Sequence, residues 1–220
     1  KIGLFIPCYV DQFYPQVGIA TLQILEKLGL DVDYPLNQTC CGQPMANSGY
    51  ENLGSETTRL FLNNFSGFDH IVSPSGSCVL HIKEQLKHSD SQEGITMHNN
   101  VFELTEFLVD ILKTKRINAH FPYKVGLHAS CHGLRGLHVA SQSELNEPYF
   151  NKPRALLEKV AGIELVELDR KDECCGFGGT FAVAEEAISV RMGIDRVADH
   201  TKNGAEVITG TDMSCLMHLE

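Results

Sequence analysis

The eight cysteines of this chain fall into two copies of one pattern, in which a Cys-Cys-Gly triplet stands between two single cysteines. The copies are Cys8, Cys40, Cys41 and Cys78, and then Cys131, Cys174, Cys175 and Cys215. The gaps between successive members are 31 and 36 residues in the first copy and 42 and 39 in the second. Four thiolates complete either a tetrahedral zinc site or a four-iron four-sulfur cluster. The pattern therefore predicts that all eight cysteines bind metal, four in each half.

The residues around the cysteines repeat as well. Lys1–Cys8 aligns with Lys124–Cys131 at an offset of 123, with Lys, Gly, Leu and Cys in common. Ile71–Cys78 aligns with Ile208–Cys215 at an offset of 137, and both segments are strand-like runs that enter a Ser-Cys pair. These matches indicate a duplicated domain.

Strand-like and helix-like segments alternate along the chain. In the first half the pattern predicts strands at Ile2–Pro7, Leu30–Tyr34 and His70–Ser73, helices at Pro15–Leu28, Leu53–Phe65, Val79–Lys87 and Val101–Lys113, and a polar loop at Ser89–Glu93. In the second half it predicts strands at Lys124–Ala129, Glu164–Leu168 and Glu206–Thr209, and helices at Pro153–Val160 and Phe181–Ala198.

This alternation is typical of parallel sheets covered by helices, in which ligands gather at the carboxyl ends of the strands. We therefore predict an α/β fold of two pseudo-repeated Rossmann-like domains, with parallel sheets flanked by helices. Residues 1–118 form the first cysteine-rich domain and residues 119–220 the second, each long enough to bury a core. Each cysteine group is expected at the edge of its sheet.

Composition and charge exclude several classes of function. The net charge of −10 repels a phosphate backbone, so we expect no nucleic-acid partner. No apolar run approaches the roughly 20 residues that a spanning helix needs, so no transmembrane segment is expected. Lys1 leads directly into a strand-like run rather than a signal peptide, which favours a cytoplasmic location. In a reducing cytoplasm, clustered cysteines more often bind metal than form disulfides.

Several neighbours of the cysteines are candidates for a supporting role. Gly42 and Gly176 follow the cysteine pairs, and a residue without a Cβ lets the backbone turn sharply and offer N–H groups to sulfur. His128, His132 and His138 surround Cys131. His132 is adjacent to that cysteine and is the best candidate among them.

Two arginines, Arg191 and Arg196, lie on the predicted helix that follows the second cysteine pair. The exposed face of such a helix normally carries charge. We therefore expect both guanidinium groups to be solvated.

The two Cys…Cys-Cys-Gly…Cys repeats, with the segments LFIPCYVDQFYP, CCGQP and CCGFGGTFA, resemble the duplicated cysteine-rich (CCG) domain family over essentially the whole chain. That family includes a subunit of heterodisulfide reductase, the iron–sulfur subunits of glycolate oxidase and anaerobic glycerol-3-phosphate dehydrogenase, and the lactate utilization proteins, which these segments resemble most. The resemblance implies an iron–sulfur electron-transfer subunit of a multi-subunit oxidoreductase that oxidises L-lactate to pyruvate. It implies one or two 4Fe–4S clusters, and as partners a ferredoxin-like iron–sulfur subunit and a third subunit.

The chain departs from the fuller family motif, which ends in Cys-x-x-Cys, because Ser75 and Asp212 stand three residues before Cys78 and Cys215. In the heterodisulfide reductase relatives the extra cysteine helps to hold a non-cubane cluster that cleaves a disulfide. An ordinary four-thiolate cluster fits this chain better, with Asp212 as a candidate oxygen ligand. Two alternatives stay open: a zinc-stabilised cysteine-rich scaffold that binds partner proteins, and a thiol–disulfide reductase that uses the vicinal pairs.

Overall fold

The computed structural model describes residues 1–87 and 91–220, which divide into two compact units, Lys1–Leu104 and Thr105–Glu220. Each unit contains its own parallel sheet with helices packed around it, so the predicted α/β class is confirmed. The domain boundary between residues 118 and 119 stays a prediction. Within the described residues, no helix combines the length and the apolar character needed to cross a membrane.

The first unit has a four-stranded parallel sheet in the order β2-β1-β3-β4. Its strands are β1 (Ile2–Leu4), β2 (Val32–Asp33), β3 (His70–Ser73) and β4 (Val101–Glu103). Its helices are α1 (Cys8–Phe13), α2 (Pro15–Lys27), α3 (Gln43–Asn47), α4 (Ser55–Phe65), α5 (Gly76–Lys87) and α6 (Gln92–Asn100). Leu4, Val72 and Val101 are buried, as expected for strands of a parallel sheet that is covered by helices.

The second unit has a three-stranded parallel sheet in the order β6-β5-β7. Its strands are β5 (Lys124–His128), β6 (Glu164–Leu165) and β7 (Val207–Gly210). Helix α7 (Leu104–Glu106) crosses the boundary of the units, and the helices that follow are α8 (Lys152–Leu157), α9 (Phe181–Ala184), α10 (Glu186–Lys202) and α11 (Met213–Leu219). In both sheets the first strand of the unit lies between the next two, as a duplication requires.

One predicted helix is wrong only in where it begins. The sequence pattern predicts a helix over Val101–Lys113, but strand β4 occupies Val101–Glu103, and helical turns follow at Leu104–Glu106 (α7) and, in π-helical form, at Phe107–Ile111. Val101 pairs with Ile71 of β3 and is completely buried, so pairing at the sheet edge prevails over helical periodicity. The polar loop predicted at Ser89–Glu93 lies partly in residues 88–90, outside the described residues, and Gln92 already belongs to α6.

The helix predicted over Phe181–Ala198 is divided in two. Glu185 separates α9 from α10 with a non-helical backbone (φ −125°, ψ 48°), and α10 continues to Lys202. Helix α10 therefore carries both Arg191 and Arg196.

Three phenylalanines fill the space between β1 and α4 in the first unit. Phe5 directly follows β1 and makes edge-to-face contacts with Phe61 and Phe65 of α4, with ring centroids 5.1 and 5.8 Å apart. A Cβ on Gly3 would lie 2.9 Å from a ring carbon of Phe65, so only glycine lets α4 pack this closely on the strand. We call Phe5, Phe61 and Phe65 the aromatic trio.

Replacing a buried member of this trio tests the packing. We expect Phe61→Ala to lower the free energy of unfolding by about 3–5 kcal/mol, because the lost ring leaves a cavity. Urea denaturation followed by circular dichroism measures the change. Phe13→Ala is the matched control, since Phe13 is 66% exposed and its loss should change stability by no more than about 0.5 kcal/mol. Equal effects of the two substitutions would contradict the assigned packing.

Candidate metal centres

Three segments bring the cysteines of the first unit together, and we call Cys8, Cys40, Cys41 and Cys78 the first thiol group. Cys8 begins α1 just after β1, the pair lies between β2 and α3, and Cys78 is in the first turn of α5 after β3. The Sγ atoms of Cys8 and Cys40 are 3.7 Å apart, and those of Cys41 and Cys78 are 3.3 Å apart. The group therefore forms at the carboxyl edge of the sheet, where parallel strands commonly place ligands.

The second unit repeats this arrangement with the second thiol group, which comprises Cys131, Cys174, Cys175 and Cys215. Cys131 follows β5, the pair follows β6, and Cys215 lies in the first turn of α11 after β7. Cys174 shares hydrogen bonds with Cys131 and Cys175, and Cys175 shares one with Cys215. All eight cysteines are free thiols rather than disulfides.

Contact between the sulfur atoms favours one thiolate in each group. Hydrogen bonds with Cys41 and Cys8 lower the pKa of Cys40 to about 2, and the same contacts raise the pKa of Cys8 and Cys41. In the second group, hydrogen bonds with Cys131 and Cys175 lower the pKa of Cys174 to about 2. Further negative charges at these distances repel one another, so only a metal cation allows all four sulfur atoms to ionise.

The glycine after each cysteine pair has the left-handed backbone that favours this residue. Gly42 has φ 93° and Gly176 has φ 94°. The N–H of Gly42 donates to Cys40 Sγ at 3.4 Å, and the N–H of Gly176 donates to Cys174 Sγ at 3.3 Å. Such main-chain donors stabilise negative charge on a ligating sulfur.

The other two sequence candidates lie beside the second thiol group. His132 immediately follows Cys131, in a π-helical turn at His132–Gly136. Asp212 is buried and caps α11, because its Oδ1 accepts hydrogen bonds from the Ser214 hydroxyl at 2.8 Å and the Ser214 N–H at 3.4 Å. This carboxylate therefore supports the helix that carries Cys215.

Sequence reasoning ranks His128 below His132, but the structure places His128 at the second thiol group. His128 ends β5 and is completely buried. One of its ring nitrogens and the Sγ atoms of Cys175 and Cys215 all lie within 4.8 Å of one another. Among the described residues, this is the group of three potential metal ligands that the structure brings together, and His132 is outside it.

A second pair of histidines, His81 and His218, follows the last cysteine of each group by one helical turn. The repeat at an offset of 137 extends to them, since both halves read Ser-Cys-x-x-His, and this signal was present in the sequence. The charge of His81 contributes to the low pKa of Cys40. His218 Nε2 lies 3.2 Å from the main-chain oxygen of Ser189 on α10.

The expectation of a solvated guanidinium is wrong for Arg196. Arg191 is 75% exposed as predicted, but the Arg196 side chain is completely buried. Five residues on a helix of 3.6 residues per turn rotate the side chain by about 140°, so the two arginines point to different faces of α10. Arg196 Nε donates to His128 Nδ1 at 3.2 Å, and its Nη1 donates to Asp199 Oδ2 at 3.2 Å.

The donor set of each thiol group suits a soft, thiolate-bound metal. Four sulfur atoms converge from three segments, and main-chain N–H groups donate to sulfur atoms of both groups. Thiolate ligands select zinc or iron–sulfur clusters over magnesium and calcium. The residues present therefore fit either a four-cysteine zinc site or a four-iron cluster.

Comparison with known proteins identifies relatives along the whole chain. The profile of the CCG family, described as cysteine-rich domain, matches residues 2–83 and 125–220, and each match contains one complete thiol group. Lactate utilization protein A of Geobacillus kaustophilus is 39% identical over 224 residues, covering 100% of this chain and 90% of the relative. The proteins of that name from Halalkalibacterium halodurans and Bacillus subtilis are 39% and 38% identical, covering 100% of this chain and 88% and 90% of theirs.

The close approach at Gly176 gives a direct test of the site geometry. A Cβ there would lie 2.6 Å from the Ser189 main-chain oxygen and 2.7 Å from Met192 Cβ. We expect Gly176→Ala to lower the free energy of unfolding by more than the roughly 1–2 kcal/mol that positive φ alone costs, and to weaken metal retention by the second thiol group.

Gly204→Ala is the matched control, because Gly204 has φ 81° and open space around its Cβ position. Thermal denaturation and metal content of both variants measure the two effects. Equal destabilisation by the two substitutions would contradict the close packing of α10 against Gly176, which follows the cysteine pair.

Proposed function

The chain belongs to the CCG family of cysteine-rich domains, and on that premise we propose that it is an iron–sulfur electron-transfer subunit of an oxidoreductase complex that oxidises L-lactate to pyruvate. The observation that carries this proposal is the convergence of four thiols at the carboxyl edge of each sheet. The name of the relatives, lactate utilization protein A, supports lactate as the substrate of the complex.

We assign the first thiol group to one 4Fe–4S cluster and the second thiol group to another. When bound, such clusters accept and release single electrons. The cysteines supply the ligands, and the N–H groups of Gly42 and Gly176 stabilise the thiolates. Residues 1–118 and 119–220 are proposed as the two domains of the duplication.

The proposed complex contains two further subunits, a ferredoxin-like iron–sulfur protein and a third component. Within the described residues, the one group of three potential metal ligands contains two cysteines. We place the lactate carbon chemistry on another subunit, while this chain carries electrons. Free thiols at all eight positions support a reducing, cytoplasmic setting.

One sulfur–sulfur distance, between Cys8 and Cys40, favours a second candidate, a zinc-stabilised scaffold that binds partner proteins. A tetrahedral zinc ion with bonds of about 2.3 Å holds its thiolates about 3.8 Å apart. This is close to the 3.7 Å between the Cys8 and Cys40 sulfur atoms. A four-iron cluster binds each thiolate through a different iron, so the same four cysteines must separate to hold it.

Metal analysis after anaerobic purification distinguishes the two candidates. We expect a brown protein with about eight iron and eight sulfide per chain, because two four-thiolate groups are present. The measurement is iron, acid-labile sulfide and zinc content with the visible spectrum before and after reduction. A colourless protein with about two zinc ions would overturn the electron-transfer proposal in favour of the scaffold.

Single cysteine substitutions test whether each unit holds its own centre. We expect Cys40→Ser to remove about half of the iron and sulfide, because all four ligands of the second thiol group remain. Cys174→Ser is the matched variant in the other unit and should remove the other half. Loss of all iron in either variant would indicate that the two thiol groups depend on each other.

A further inference from the structure

The second unit has three polar side chains where the first unit has the aromatic trio. We call His128, Arg196 and His200 the polar trio. His128 aligns with Phe5 at an offset of 123, whereas Arg196 and His200 align with Phe61 and Phe65 at an offset of 135.

The environments of two glycines support this equivalence. The Cβ position of Gly3 on β1 is blocked by the Phe65 ring, and the Cβ position of the equivalent Gly126 on β5 is blocked by the His200 ring. In the same way, the Cβ position of Gly42 is blocked by Thr57, and that of Gly176 is blocked by the Ser189 main-chain oxygen and by Met192. Thr57 and Met192 are also 135 residues apart. Equivalent positions of α10 and α4 therefore contact equivalent positions of β5 and β1.

The polar trio is buried without being fully satisfied. His128 and Arg196 are completely buried and His200 is 1% exposed. Among the described residues, hydrogen-bond partners are absent for His128 Nε2, for both ring nitrogens of His200 and for Arg196 Nη2. Burying polar atoms without partners costs stability. The aromatic trio shows that this fold packs the same positions with apolar rings, so the packing itself does not require the polar residues.

Contact with Arg196 fixes the hydrogen of the His128 ring. A guanidinium group only donates hydrogen bonds, so His128 Nδ1, which receives the Arg196 Nε–H, carries a lone pair. In a neutral ring the hydrogen is then on Nε2. A metal-binding histidine instead donates its other N–H to an acceptor. His128 Nε2 has no other hydrogen-bond acceptor among the described residues, and the ring borders the Cys175 and Cys215 sulfur atoms, so its N–H is available to these sulfur atoms and the ring is not a metal ligand.

We propose that the polar trio raises the reduction potential of the second centre above that of the first. This inference rests on the proposed function, since it requires a cluster in each thiol group. One-electron reduction adds one negative charge to a cluster, and N–H donors and cationic charge near its sulfur ligands stabilise that charge. Arg196 interacts electrostatically with Cys175, whereas the aromatic trio brings neither charge nor N–H groups to the first centre.

The carboxylates of Glu173 and Asp199 interact with the Arg196 charge, and Asp199 also accepts a hydrogen bond from Arg196 Nη1. The Asp199 carboxylate accepts further hydrogen bonds from the main-chain N–H groups of Asp169 and Arg170 and from the Asn203 amide. These three donors share its negative charge. The Nε–H side of the guanidinium remains directed at His128.

The two centres are measured separately in the full chain by removing one at a time. Cys174→Ser retains the first centre and Cys40→Ser retains the second. Each protein is titrated with dithionite under argon, and the reduced cluster is followed by electron paramagnetic resonance. We expect a higher midpoint potential for the second centre. Equal potentials, or a higher potential for the first centre, would overturn the inference.

Substitutions in the polar trio are then made in the Cys40→Ser chain. His128→Phe introduces the residue of the first unit and should lower the potential of the second centre toward that of the first. Arg196→Lys keeps the positive charge but loses the Nε donor. It should therefore lower the midpoint potential of the second centre by less than His128→Phe does. Arg191→Lys is the matched control on the exposed face of α10 and should leave it unchanged. If His128→Phe and Arg196→Lys both shift the midpoint potential by no more than Arg191→Lys does, the inference is overturned.

Iron and sulfide content, measured before each titration, separates this inference from the proposed function. A wild-type chain that holds zinc and no sulfide overturns the proposed function, and the inference falls with it. Two clusters with equal midpoint potentials overturn the inference about the polar trio but leave the proposed function intact. If His128→Phe fails to retain its cluster, the comparison of the two centres in the cysteine variants and the Arg196→Lys measurement still decide.

Discussion

Sulfur atoms in contact cannot all carry negative charge unless a cation lies among them, and this constraint governs both units. Each thiol group favours one thiolate, at Cys40 or Cys174, whose sulfur contacts raise the pKa of Cys8 and Cys41 in the first group and of Cys131 and Cys175 in the second. Binding a metal replaces this repulsion with coordinate bonds and releases the remaining protons. The positive φ of Gly42 and Gly176 and the convergence of three strand ends are the means by which the fold holds these sulfur atoms together.

Much of this arrangement follows from local patterns in the sequence. The repeated cysteine spacing predicts two thiol groups, and strand-helix alternation predicts parallel sheets that bring distant cysteines to one edge. Helix α2 is predicted to within one residue, because Pro15 starts it and Gly29, at φ 82°, follows its end. These features depend on chemistry that a single residue or a short window already contains.

The incorrect predictions depend on tertiary contacts. Val101 is predicted in a helix because its neighbours have helical periodicity, but pairing with β3 makes it a strand. Arg196 is predicted to be solvated because charged helix residues usually are. In the structure its side chain is buried and donates a hydrogen bond to His128 at the end of β5. Neither outcome is visible until strand pairing and helix register are known.

The wide separation of the ligands along the chain has a consequence for biosynthesis. Cys8 and Cys78 lie near opposite ends of the segment that forms the first centre, and Cys131 and Cys215 do so for the second. Neither thiol group is complete until the helix that carries its last cysteine has left the ribosome, so a metal that needs all four ligands would bind only after the first strands of the unit have been synthesised. Once inserted, the metal links residues far apart in the chain, and its loss loosens a whole unit rather than a single loop.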